Sequence, residues 1–396
     1  MTEPSPSPSA GLPVYEELDE IWARCEPDVA AVEVPDAAER AAAAFVGSLC
    51  GCMLGKPLEI DPTLAEIRAC LEPRGEWPLD DYVTEEAILS LKWQQGQWPE
   101  LARARITHVA ADDDINYTVL GMLALEHKGA DLSRRALARL WLYNLPIAVT
   151  FGPERVFLAR LAAAMLDEEA ELPDHLEGEY PGSELCGALI RVDAYGYACQ
   201  GDPRLAAELA WRDAGMTHRG TGLYGAMFVA AAMAAMPVSP TPLAAFGTAL
   251  RFVPTDAPFA NAVRFAMDEV TRADSWLAAY ERINARYGDF GHCKVLQEIG
   301  TLVNTLHFAR DVGDGICIQV MQGNDTDSFG ATAGSLLGLW FGPGHLEERW
   351  TAPFNDTIQL ALATTWISSI AELAGRMAAL PARIRSGRDR ARRGTG

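Results

Sequence analysis

The 396 residues carry a net charge of −21, with 49% apolar and 22% charged residues. A chain of this length builds one large domain or two ordinary ones, with apolar material enough for a sizeable core. So negative a chain argues against non-specific binding to nucleic acid or to an anionic membrane, since both need local positive charge.

Eight cysteines occur with no CxxC pair among them. That predicts free, buried thiols in a reducing compartment and argues against a zinc site. Residues 1–13 are rich in proline and serine, lack a basic-then-apolar leader pattern and read as a disordered tail. The apolar runs read as shorter than the ~18 residues of a membrane span. The chain is therefore expected to be soluble and cytoplasmic, without membrane or nucleic-acid partners, as a monomer or small homo-oligomer.

The compact part opens with an alanine-rich segment, 37–54, in which Gly47, Gly51 and Gly55 recur at four-residue spacing. On a helix they form one bare stripe, suited to close packing or to approach of a ligand. Pro57 breaks that helix and leaves Glu59 at its end, where a carboxylate is available for chemistry. Thr84-Glu85-Glu86 opens a further helix, with a threonine cap and acids in its first turn. Asp112-Asp113-Asp114, with Asn116 behind them, precede an almost wholly apolar helix. Three consecutive aspartates repel one another unless a cation or strong donors offset the charge. Such a cluster at the head of a buried helix points to a metal or a polar ligand.

Helices are predicted over 132–141, 153–167, 184–192, 203–214 and 224–236, with a turn over 193–203. Others follow over 241–250, 257–271, 275–288 and 295–309. Gly323-Asn324-Asp325-Thr326-Asp327-Ser328 then runs into a small, apolar helical stretch containing Gly330, Gly334 and Gly338. Carboxylates two apart, flanked by hydroxyls, are the oxygen ligands that hard divalent cations take. Asn355-Asp356-Thr357 caps a last helix through Leu380, and the arginine-rich residues 381–396 read as a disordered basic tail. Nearly every apolar segment is alanine-rich, longer than eight residues and bounded by proline or glycine. The chain is therefore all-α, a single compact multi-helix domain over 14–380.

Three of these pieces carry a resemblance: Gly47-x3-Gly51-x3-Gly55-x-Pro-x-Glu59, Thr84-Glu85-Glu86-Ala87, and Gly-x-Asp-Thr-Asp-Ser with Ala-Gly-x-x-x-Gly behind it. Together they resemble the ADP-ribosylglycohydrolase family, which includes the dinitrogenase-reductase-activating glycohydrolase. The resemblance implies an all-α fold with a dinuclear Mg²⁺ or Mn²⁺ centre. It implies hydrolysis of the bond between the ribose anomeric carbon and its substituent, in an ADP-ribosylated protein or a small NAD-derived riboside. Carried over by position, Asp325, Asp327 and Ser328 become metal ligands, as do Thr84, Glu85 and Glu86, where the family has Thr-Asp-Asp. Asp113 and Asp114 could instead supply those short carboxylates or act as catalytic groups. Glu59 or one of Asp112–Asp114 is expected to serve as the catalytic acid or base, and Glu59, Asp112, Asn116, Gly323 and Asn324 are expected to contact substrate. A non-catalytic ADP-ribose-binding protein of the same fold is the alternative.

Overall fold

Glycine decides which two helices lie against each other at the centre. In the computed structural model, the Ala37–Gly55 helix and the Thr326–Phe341 helix run antiparallel with their glycine stripes facing. A Cβ on Gly51 would stand 1.9 Å from the Gly330 carbonyl oxygen, and one on Gly47 would stand 2.5 Å from that of Gly334. Gly55 faces the Thr326 carbonyl, and the Thr326 hydroxyl donates to the Gly55 carbonyl at 2.9 Å. The direction of the pairing sets the chemistry. It brings the C-terminal end of the first helix, with Lys56 and Glu59, to the N-terminal end of the second, with Asp325 and Asp327.

The structure describes residues 9–394 except 10, 12, 60–61, 92–98, 165–175, 177–179 and 291–292. The expected disordered tail at 1–13 lies mostly outside the described residues. Among those described there is no β-strand, only four isolated bridges, so the fold is all-α. The Gly220–Ala235 helix is buried at every residue, and the amphipathic Pro203–Ala214 helix packs along it. Two segments, Ala37–Leu58 and Gly220–Val238, are long and apolar enough to cross a membrane, contrary to the sequence reading. In the fold 78% and 89% of their apolar windows are buried.

Four expectations need correction. The predicted turn over 193–203 contains a short helix, Asp193–Ala198, and a further helix at Val312–Met321 was not foreseen. Asp311 caps the second, accepting the Asp314 N–H at 2.8 Å. Residues 355–369 are irregular, and the last helix runs from Ile370 to Gly394. Asn355 and Asp356 take left-handed backbone conformations. Asp356 still caps that helix from across the loop, accepting the Ala371 N–H and the Ser369 hydroxyl, each at 2.7 Å. Finally, residues 381–394 are helical rather than a disordered tail. Pro381 sacrifices one hydrogen bond, while Leu380 and Ile384 are buried and Arg383 reaches the Glu126 carbonyl.

Candidate metal and substrate site

Where those two helix ends meet, a cavity of about 550 Å³ opens. Its floor is made by Lys56, Glu59, Asp112, Asp113, Asp325, Asp327 and Ser328. Asp112 caps the Asp113–Lys128 helix, accepting the Asp114 N–H at 3.0 Å, and its second oxygen pairs with the Lys56 ammonium. Burial alone would push the Asp112 carboxyl up, yet Lys56 holds it down. Lys56, in turn, is raised against the pull of burial by Asp112.

The remaining carboxyls have no such partner. Burial, followed by the charge of Asp112, pushes Asp113 and Asp114 well above the usual carboxylate range. Burial and then Glu59 do the same to Asp327, while burial and Asp325 raise Glu59. Both carboxylate oxygens of Asp114 and the Oδ1 of Asp327 are buried with no hydrogen-bond partner among the described residues. A buried, unpartnered carboxylate costs several kcal/mol unless a proton or a cation answers it. Hard oxygen donors whose charges raise one another's proton affinity in this way suit a divalent cation of the Mg²⁺ or Mn²⁺ kind. Asp113, Asp114, Asp325, Asp327 and Ser328 are the residues that would hold it.

The Thr84-Glu85-Glu86 cluster is placed elsewhere. The Thr84 N–H and hydroxyl both donate to Glu76, at 3.0 and 2.5 Å, and Glu85 pairs with both arms of Arg105. Glu86 is exposed to solvent. Thr84 and Glu85 are thus taken up by protein partners, and none of the three residues lines the cavity. The short carboxylates beside Asp325 and Asp327 on the cavity wall are Asp112 and Asp113, at the head of a different helix. Gly323 and Asn324 also stay off the cavity wall. Both have positive φ, Gly323 bridges to Thr63, and the Asn324 N–H donates to the Pro62 carbonyl at 2.8 Å. They shape the turn that presents Asp325, whose own N–H donates to Glu298 at 3.1 Å. Asn116 does line the cavity, though its side-chain oxygen is taken by the Ala361 N–H at 2.9 Å.

The cavity is also lined by Tyr117, Phe151, Glu154, Leu185, Ile190 and His218. By sequence alone Tyr117 is a candidate for stacking on a base, and His218 is either a ligand contact or, by default, a satisfied helix-end histidine. In the fold His218 is fully buried and its Nε2 has no hydrogen-bond partner among the described residues. Its Nδ1 lies 2.8 Å from the Thr217 hydroxyl, which already accepts from Arg191 at 2.8 Å. Among the described residues the Thr217 proton has no acceptor other than Nδ1, and donation there puts the imidazole hydrogen on Nε2. Burial and then Arg191 keep the ring neutral. Tyr117 likewise has a buried hydroxyl without a partner among the described residues. Behind them Arg191, 1% exposed, pairs with Glu154 and Asp213 and fixes the wall. No local signal marks this network as a whole, because its members come from four separate segments; only Tyr117 and His218 are singled out by residue type.

A family model described as ADP-ribosylglycohydrolase matches residues 33–385. Among solved structures, one titled "ADP-ribosylglycohydrolase-related protein complex" is similar at a TM-score of 0.56 and 16% identity. The match covers 89% of this chain and 100% of that one. No curated protein matches the chain.

Proposed function

Since the chain belongs to the ADP-ribosylglycohydrolase family, we propose that it hydrolyses the glycosidic bond of an ADP-ribosylated protein or a related NAD-derived riboside. One observation carries this reading: carboxylates from three segments line one cavity, a partnerless Asp327 oxygen among them, with the partnerless Asp114 in electrostatic reach of them. A dinuclear Mg²⁺ or Mn²⁺ centre on Asp113, Asp114, Asp325, Asp327 and Ser328 would bind ribose hydroxyls and position a water.

The chain's own residues supply the rest. Lys56 holds Asp112 at the rim of the acidic floor, so that one carboxylate is neutralised and cannot wander. Glu59 lines the cavity with its proton affinity raised by burial and by Asp325. A carboxyl so poised can take a proton from the attacking water as the anomeric carbon develops oxocarbenium character. His218 Nε2–H and the Tyr117 hydroxyl offer uncharged donors to the far end of the substrate. The apolar wall of Phe151, Leu185 and Ile190 shields that end from water.

The test is mass spectrometry of an ADP-ribosyl-arginine peptide incubated with the protein and Mg²⁺ or Mn²⁺. Free ADP-ribose, lost on chelation, is the expected product. Absence of release from folded, metal-loaded protein would shift the substrate to a small riboside; no turnover of either class would overturn the reading. The non-catalytic alternative rests on Glu85 and Glu86 standing where the family has aspartates. Neither side chain lines the cavity, Glu85 being paired with Arg105 and Glu86 exposed, so those two glutamates no longer bear on the choice.

A further inference from the structure

A second donor set converges on one atom of this cavity. Cys186 Sγ and Cys293 Sγ both donate to the Oδ2 of Asp325, at 3.2 and 3.3 Å. The two sulfurs and the carboxylate oxygen all lie within 4.8 Å of one another. Two distant segments are clamped to make this happen. An antiparallel bridge joins Leu185 to Lys294, and the Cys186 N–H donates to the Cys293 carbonyl at 3.0 Å. Glu298 braces the cluster from behind, accepting the Asp325 N–H. Both cysteines line the cavity, and Cys293 is partly accessible, so an entry path exists.

The cysteine spacing argues against a zinc site, but the fold joins two cysteines that are distant in sequence, and we propose that Cys186, Cys293 and Asp325 form a binding site for a thiophilic divalent cation of the Zn²⁺ class. Tetrahedral zinc, with bonds of about 2.3 Å to sulfur and about 2.0 Å to oxygen, sets its sulfur and oxygen ligands roughly 3.5 Å apart. The sulfur–oxygen distances here are close to that before any ion arrives. Thiolate sulfur selects zinc over magnesium or manganese, which take the carboxylates of the floor. On binding, two S–H bonds are exchanged for two sulfur–metal bonds and both protons pass to solvent, with no change of oxidation state. Three protein ligands leave a fourth position for water, the pattern of an exchangeable ion rather than a closed structural one. Asp325 belongs to both donor sets, so an ion held by the thiols draws that carboxylate away from the floor. The site thereby acts as an inhibitory one, and this consequence rests on the hydrolytic reading, whereas the binding itself does not.

The test uses the full chain, reduced and in saturating Mg²⁺, titrated with Co²⁺ as a spectroscopic stand-in for Zn²⁺. A thiolate-to-cobalt charge-transfer band should grow to one Co²⁺ per chain and be bleached by Zn²⁺. The double variant Cys186→Ser/Cys293→Ser should bind Co²⁺ at least ten-fold more weakly. In wild type, Zn²⁺ should slow alkylation of Cys293, located by peptide mass spectrometry, which keeps the test open if the double variant misfolds. No charge-transfer band in folded wild type, a full band in the folded double variant, or alkylation of Cys293 indifferent to Zn²⁺ would each overturn the proposal. None of these readouts uses turnover, so a failed hydrolase assay does not bear on them.

Discussion

Asp327 and Asp114 are placed so that stability and activity pull in opposite directions. Each contributes buried carboxylate oxygen without a hydrogen-bond partner among the described residues, and each carboxyl is raised by burial and by neighbouring carboxylates. In metal-free protein such a group is a liability on the order of 1–3 kcal/mol. Asp327→Asn should therefore raise the thermal midpoint of chelator-treated protein by a few degrees, yet abolish turnover and the further rise that Mg²⁺ or Mn²⁺ gives wild type. Calorimetry with and without the cation reads both effects; a variant that loses stability but keeps the cation-induced rise contradicts the ligand role. Glu59→Gln should behave differently, retaining the cation-induced rise while losing turnover. At the far wall, Tyr117→Phe removes one uncharged donor and should raise KM about three- to ten-fold, the worth of one hydrogen bond, with kcat little changed. His218→Gln, which keeps an N–H near the Nε2 position, should lose less than His218→Leu. The floor was partly legible in sequence because Asp325 and Asp327 are neighbours on one helix start. Thr84-Glu85-Glu86 looked the same by that criterion. What separates them is whether a partner such as Glu76 or Arg105 folds back onto them, and that depends on contacts no local window contains.

At the scale of the element, the site depends on two helices approaching more closely than side chains ordinarily allow. Gly51→Ala places a methyl 1.9 Å from a backbone oxygen that has no flexible end to move aside. Overpacking of this kind costs about 3 kcal/mol or more. The helices must then part, carrying Glu59 away from Asp325. The expected result is a large fall in thermal midpoint, or insoluble protein, with loss of the cation-induced rise. Gly247→Ala is the control, since nothing stands within 4 Å of its added methyl and alanine is the better helix former by about 0.5–1 kcal/mol. It should be neutral or slightly stabilising; equal effects at the two positions would sink the packing argument. The glycine stripes, spaced by four, were visible in the sequence, and so were most helices. The helix at Val312–Met321 was not, because Gly313 and Gly315 in its first turn read as breakers. In the fold those glycines leave room for Trp350 and Leu337 to press against the helix.

For the whole molecule, the carboxyls raised by burial make stability depend on pH in one direction. Asp193 is the cleanest example because it lies apart from the metal floor. It joins the Asp193–Ala198 helix to the Thr326–Phe341 helix, accepting from Ser335, whose hydroxyl also meets Tyr197 at 2.6 Å. Burial pushes its carboxyl from 3.8 up to about 7, and the hydrogen bond from Ser335 only partly offsets this. The folded protein thus holds a proton that the unfolded chain has released through the interval between those values. Stability from this group is full below about pH 4, falls as pH rises, and is gone above about pH 7. At 1.36 kcal/mol per unit the whole swing is about 4 kcal/mol. Asp193→Asn cannot titrate, so the stability difference between wild type and variant should drift by that order between pH 4 and pH 7, and stay level from pH 7.5 to pH 9. Denaturant unfolding at fixed pH, with chelator present in both series, isolates it, because the carboxylates of the cavity titrate alike in the two proteins and cancel. A difference that is flat across the acid interval would mean that Asp193 is ionised in the fold, held by its two hydroxyl neighbours more firmly than burial opposes it.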